Sequence, residues 1–292
     1  MAFSFAALDR RIVYGLVLLC LALPIIFEYS LPPSRMKAAD KLYQLVEAIP
    51  PGPGKIALLA FDFGPSTRAE NEVQAEVLME HLMRRRVPVA VFSLYPQAVD
   101  FLDAIPKRLA KKLTSEMPGE RWEYGVDWVN LGYRAGTALF IQSIPKAENL
   151  AEVFGKDAEG TRLSDLPAFK GIKDFKQIVL VGEVTGLAGM FNLYVQFFQS
   201  AEYIPPLVHG CTSITIPEAY NYLDSGQLKG LLEGLAGAAW YSELLEVANP
   251  ARTLDSAPMR NTATGIGHMI IIALVLLGNL SAIAVRFRSK KA

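Results

Sequence analysis

Two groups of residues have the types and spacing to do chemistry. His209 and Cys211 stand two apart in PLVHGCTSITI, a segment of strand character, so their side chains share one face. A histidine touching a cysteine can hold it as a thiolate nucleophile, provided the site is open. The second group is acidic. Asp62 lies near the end of KIALLAFDFG and Glu183 near the end of KQIVLVGEVTG. Hydroxyls accompany them: Ser66 and Thr67 after the first segment, Ser93 at the end of VPVAVFSL, Thr185 after Glu183. Carboxylates, hydroxyls and backbone N–H groups converging at strand ends suit a polar ligand or a peptide. The same carboxylates could serve a hydrolase as acid and base.

Each group also has a purely structural explanation. A cysteine on a strand is more often a buried small hydrophobe, and no protease signature surrounds Cys211. Asp62 and Ser66 can organise a turn and cap the helix after it. Asn130, Tyr133 and Arg134 in VNLGYRAG are explained by a strand ending in a tight turn. No GxSxG, HExxH, SxxK or EF-hand pattern occurs, so the common hydrolase and metal classes lack motif support. His81, His209 and His268 have no ligand spacing, and no metal is expected. FDFGPSTRAENE lacks GxGxxG and GxxxxGK, and its acids, Glu70 and Glu72, would repel a phosphate; no nucleotide or other cofactor is expected.

The elements that must position these residues alternate in type. Ser34 can cap an amphipathic helix, SRMKAADKLYQLVEAI, which PPGPG stops. KIALLAFDFG reads as a buried strand. TRAENEVQAEVLMEHLMRRR reads as a helix with capping-box spacing between Thr67 and Glu70. VPVAVFSL is a second strand, and QAVDFLDAIPKRLAKKL a helix interrupted at Pro106. GVDWVNLGY and TALFIQSI are strand candidates, and NLAEVFG a short helix. KQIVLVGEVTG and PLVHGCTSITI are strands, and SGQLKGLLEGLAGAAWYSELLEV is a final helix. Such alternation predicts an α/β fold with a doubly wound, mostly parallel sheet, whose ligands bind beyond the carboxyl ends of the strands.

Apolar residues concentrate at the two ends. IGHMIIIALVLLGNLSAIAV, from Ile266 to Val285, is long enough to cross a bilayer and is followed by basic residues. Ile12 to Phe27 is shorter and contains Pro24; with no small-x-small cleavage site after it, it reads as a retained anchor rather than a removed signal. The expected organisation is a tail (1–11), a membrane helix (12–28), a domain (31–248), a linker (249–264), a second membrane helix (265–285) and a tail (286–292). Basic residues in both short tails place the termini in the cytoplasm and the domain outside the cytoplasmic membrane. Gly278 and Ala282 form a small-xxx-small pair that lets helices approach closely.

With 29 basic and 29 acidic residues the formal net charge is zero, which gives no electrostatic reason to expect nucleic acid. Cys20 and Cys211, the two cysteines, form no framework. The expected function is a non-enzymatic, membrane-anchored domain that binds a partner or ligand within a membrane assembly, through other membrane proteins or self-association in the lipid bilayer. A tethered hydrolase using the strand-end carboxylates, or Cys211 with His209, is the alternative. A sensor is disfavoured, because tails this short hold no output domain.

Overall fold

The computed structural model describes residues 9–289, in two units: Ser34–Asp255, and the terminal segments up to Pro33 and from Ser256. Residues 1–8 and 290–292 of the expected tails lie outside the described residues.

In the larger unit β1 (Ile56–Asp62) is buried along its whole length. A strand dry on both faces needs helices on both sides, and the chain supplies them through its parallel crossovers. The other strands are β2 (Val89–Ser93), β3 (Trp128–Tyr133), β4 (Ile178–Thr185), β5 (Leu207–Cys211) and β6 (Leu228–Glu233). They form one sheet in the order β3-β2-β1-β4-β5-β6, and every pairing is parallel. This is a doubly wound sheet, and its direction of winding reverses between β1 and β4, where a crevice for ligands is expected.

One face is covered by α2 (Lys37–Glu47), α3 (Arg68–Arg84), α4 (Val99–Glu116) and α9 (Gly234–Ala248). The other carries α5 (Ala138–Ser143), α6 (Leu150–Phe154), α7 (Met190–Phe197) and α8 (Ile216–Asp224). α2 can lie on β6 because residue 230 is glycine: a Cβ there would sit 2.8 Å from the Cα of Leu42.

α3 is buried nearly all round, polar side chains included, so those side chains must find partners inside. The Gln74 amide nitrogen reaches the carbonyls of Cys211, Leu232 and Gly234 at 2.8 to 3.1 Å, tying strand ends together. His81 Nε2 donates to Glu47 at 2.8 Å, and its Nδ1 accepts from the Tyr241 hydroxyl at 2.7 Å. Burial pushes this imidazole down to about 4, against the pull of Glu47. Glu80 receives both nitrogens of the fully buried Arg252 at 2.8 and 2.9 Å, together with Arg84 and Lys112. Burial raises the Glu80 carboxyl, but these three cations outweigh it and hold it at about 2.

Several expectations fail here for identifiable reasons. TALFIQSI is helix α5 rather than a strand, because the chain turns through Gly136 and Thr137 at positive φ and leaves the sheet. The expected final helix is β6 followed by α9, divided at Gly234 with φ +56°. α4 runs through Pro106, where packing by Phe101, Leu102, Ile105 and Leu109 outweighs one lost backbone bond. The Ser34 cap and the Thr67–Glu70 box do not form: α2 is capped at Met36, and the Glu70 carboxylate instead accepts from the Ser213 N–H and hydroxyl. Within the expected linker, Arg252 is buried against Glu80 and residues from Ala257 are helical.

The smaller unit pairs α1 (Arg10–Ile26) with α10 (Ala257–Ser289) in antiparallel fashion; Leu21 lies against Gly267, and the Leu31 N–H donates to Thr262 Oγ1 at 2.9 Å. Among the described residues α10 alone, over Ala257–Ile283, is long and apolar enough to cross a membrane. α1, the expected first span, has 17 residues: the chain leaves the helix at Phe27, and Glu28 adopts φ +50° as Tyr29 N–H closes on the Pro24 carbonyl. Gly278 and Ala282 continue the stripe of Gly267, Ile271 and Leu274 that faces α1, so their side of α10 is the side that already has a partner helix lower down.

Two substitutions test this packing by chemical denaturation in mild detergent, followed by tryptophan fluorescence. Arg252→Ala removes the bidentate partner of Glu80, leaving it Arg84 and Lys112, and is expected to cost about 2 to 3 kcal/mol. Gly230→Ala is expected to destabilise by more than about 1 kcal/mol because α2 must move off β6; unchanged midpoints would refute both assignments.

Candidate functional site

The winding reversal puts the carboxyl ends of β1 and β4 side by side, with Asp62 opposite Thr185 in the register. β5 continues the row, with His209 opposite Glu183 and Cys211 opposite Thr185. Asp62, Glu183, His209 and Cys211 all point to the face covered by α7 and α8, because strand residues two apart share a face.

Asp62 is fully buried and fully engaged. Oδ1 accepts from the Leu94 N–H at 2.6 Å and from the Ser93 hydroxyl at 2.9 Å, and Oδ2 accepts from the Tyr194 hydroxyl at 2.7 Å. Burial raises its carboxyl, and the Tyr194, Leu94 and Ser93 bonds resist that rise. The Thr185 hydroxyl donates to the Asp62 carbonyl at 2.6 Å and accepts from the Leu187 N–H. Gly186 is wedged between Thr67 and Thr212, whose methyl carbons would lie 2.5 and 2.8 Å from a Cβ at that position.

Glu183 is the exception. It is 0 % exposed, yet neither carboxylate oxygen makes a hydrogen bond. His209 Nδ1 lies 3.0 Å from Oε2, but its proton is aimed at the Glu183 backbone carbonyl at 2.9 Å. Burial pushes the Glu183 carboxyl up to about 7; His209 pulls it down, and the Asp62 and Glu218 carboxylates push it further up. A buried acid without donors costs stability, and such costs persist mainly where something else is gained.

The Cys–His couple does not form. His209 spends Nδ1 on Glu183 and stacks on Phe191, with ring centroids 4.5 Å apart. Cys211 is fully buried; burial pushes its thiol up to about 12, although Gly234 N–H and Thr215 bond to it. A thiol held there supplies no thiolate near neutral pH.

The structure therefore brings Asp62, Ser93 and Thr185 into one bonded cluster and sets Glu183 beside it, but seals all four from solvent. Of the expected ligand-binding residues, Ser66 is exposed and Thr67 half-buried. Sequence reasoning missed Tyr194, which closes the cluster from α7, and Gln74, which ties the strand ends from the opposite face. Asn130 and Arg134 are structural: Asn130 Oδ1 accepts from Gly132 N–H, and Arg134 donates to the Phe154 and Lys156 carbonyls. Among the described residues no cluster of His, Cys, Asp and Glu could hold a metal ion.

The chain matches no family model, and no curated protein or solved structure shows significant similarity to it.

The Glu183 environment predicts a reversal of the usual mutational sign. A folded-state value raised from 4.5 to about 7 means that this group favours the fold fully below pH 4.5 and loses that contribution as pH rises through 7. Glu183→Gln is therefore expected to stabilise the protein by about 3 kcal/mol at pH 8 and by little at pH 4.5. Denaturation curves at the two pH values decide it; destabilisation at pH 8 would show that Glu183 has a bonded partner.

Proposed function

We propose that this chain is a membrane-anchored, non-enzymatic binding component, whose α/β domain recognises a partner protein at the carboxyl rim of its sheet. One observation carries the reading. The acids that a hydrolase would need are sealed beneath α7, while aliphatic side chains at the same rim stand in water: Ile214 in the β5–α8 loop is 89 % exposed, Leu139 at the start of α5 74 %, and Leu187 after β4 36 %. Exposed aliphatic residues at loop tips suit contact with another protein rather than turnover of a small polar substrate.

Anchoring rests on α10, whose length and composition fit a bilayer span. α1 packs along it and is read as its companion in the membrane, short but opening on Arg10 and Arg11. With basic residues following α10, the positive-inside bias puts both termini in the cytoplasm and the domain outside. The zero net charge continues to offer nothing for nucleic acid. A partner among other membrane proteins, or a second copy of the chain, fits a domain tethered in this way.

A photo-crosslinking residue at position 214 or 139 in intact membranes is expected to capture one discrete protein, and Ile214→Lys to abolish capture without changing the denaturation midpoint. Recovery of the chain alone as a monomer, with no crosslinked species, would end the binding proposal. For topology, cysteines introduced at Arg35 and Lys290 in a Cys20→Ala background are expected to label from outside and from inside, respectively; the reverse pattern would invert the orientation.

A further inference from the structure

We propose that α7 is a lid over the sheet's winding reversal, and that its closure is governed by the proton on Glu183. This does not depend on what the rim binds.

α7 covers the reversal with two buried anchors, while Met190, Leu193, Val195 and Phe197 pack against the core only in part. Of its eight residues only Phe191 and Tyr194 are buried, and each rests on an ionisable group of the sheet: Phe191 on the His209 ring, and Tyr194 on Asp62 Oδ2 at 2.7 Å. The connection from β4 provides Gly186 and Gly189, the latter at φ +77° as the N-cap. At that end a single bond, Gly189 N–H to Glu218 Oε1 at 3.2 Å, fastens α7 to α8. Beside it is a cavity of about 10 Å³, lined by Gly189, Phe191, His209 and Glu218 among others, with room for about one water. That space borders His209, whose Nδ1 lies 3.0 Å from Glu183 Oε2.

Every element packed on Glu183 determines how it bears charge. β1 contributes Asp62, β5 His209, α7 Tyr194, and α8 Glu218 with Tyr222, whose ring meets Phe191 edge-on. α5, which packs against α7, has no titratable residue in Ala138–Ser143. Among the described residues that act on Glu183, His209 alone is basic, and its Nδ1 lies 2.9 Å from the Glu183 backbone carbonyl. With the proton on, Glu183 is a neutral acid and the closed state tolerates it. With the proton off, a fully buried carboxylate whose one nearby N–H, His209 Nδ1 at 3.0 Å, also serves the Glu183 carbonyl lies beside two other acids under α7. Lifting α7 admits water to all three, so the open state gains as pH rises.

Hydrogen exchange on the full chain in nanodiscs tests this directly. After correction for intrinsic exchange, the opening constant of amides 190–198 is expected to rise about tenfold from pH 6 to pH 8, as follows from a carboxyl that moves from about 7 closed to its ordinary 4.5 open. Amides of α4 serve as the control and are expected to stay level. In Glu183→Gln the α7 amides stay at their pH 6 protection throughout; Glu183→Leu replaces it if the glutamine variant does not fold. A wild-type α7 equally protected at both pH values would overturn the proposal, as would a rise that survives removal of the carboxyl.

Discussion

The rest of this structure depends on one constraint: α3 is enclosed between the sheet and its neighbouring helices, and it brings polar and charged side chains with it. An enclosed helix cannot leave these groups to water. Each therefore dictates what must stand opposite. Glu80 requires Arg252, His81 requires Glu47 and Tyr241, and Gln74 requires the carbonyls at the ends of β5 and β6. These demands fix how α2, α9 and the segment after α9 lie on the core. Buried ion pairs contribute little net stability compared with apolar packing, but they penalise wrong arrangements heavily.

The two acids at the winding reversal show two solutions to the same problem. Asp62 is given three donors and becomes part of the framework. Glu183, one strand over, is given none and stays close to the pH at which it changes charge. Their side chains share a face and a depth; what separates them is whether a donor was supplied. Tyr194 goes to Asp62, and His209 turns its proton to a backbone carbonyl.

Much of this fold was legible in the sequence. Near-continuous apolar runs such as KIALLAFDFG announced strands dry on both faces, and their alternation with amphipathic stretches announced a parallel, doubly wound sheet. Legibility failed where an apolar run was short or rich in small residues. TALFIQSI is apolar enough for a strand, but its length and period do not separate a strand from a buried helix turn. LKGLLEGLAGAA reads as one helix because its glycines look like packing residues; one of them lets α2 touch the strand, and another turns the chain. α7 and α8 are short, eight and nine residues, and went unread, and with them the cover over Glu183. The candidate residues themselves were named from sequence. That they are sealed was not readable, since burial depends on what folds over the strand ends.

Arg252 meets Glu80 across 172 residues of chain. All six strands of the sheet are synthesised before that arginine exists. Until it arrives, α3 must either stay out of the core or hold a carboxylate there with fewer of its cations. Completion of the domain is thus tied to delivery of the short stretch just ahead of α10. During synthesis the sheet is therefore complete while the Glu80 cluster still lacks one of its cations, and that cluster is filled only as the chain reaches the start of α10.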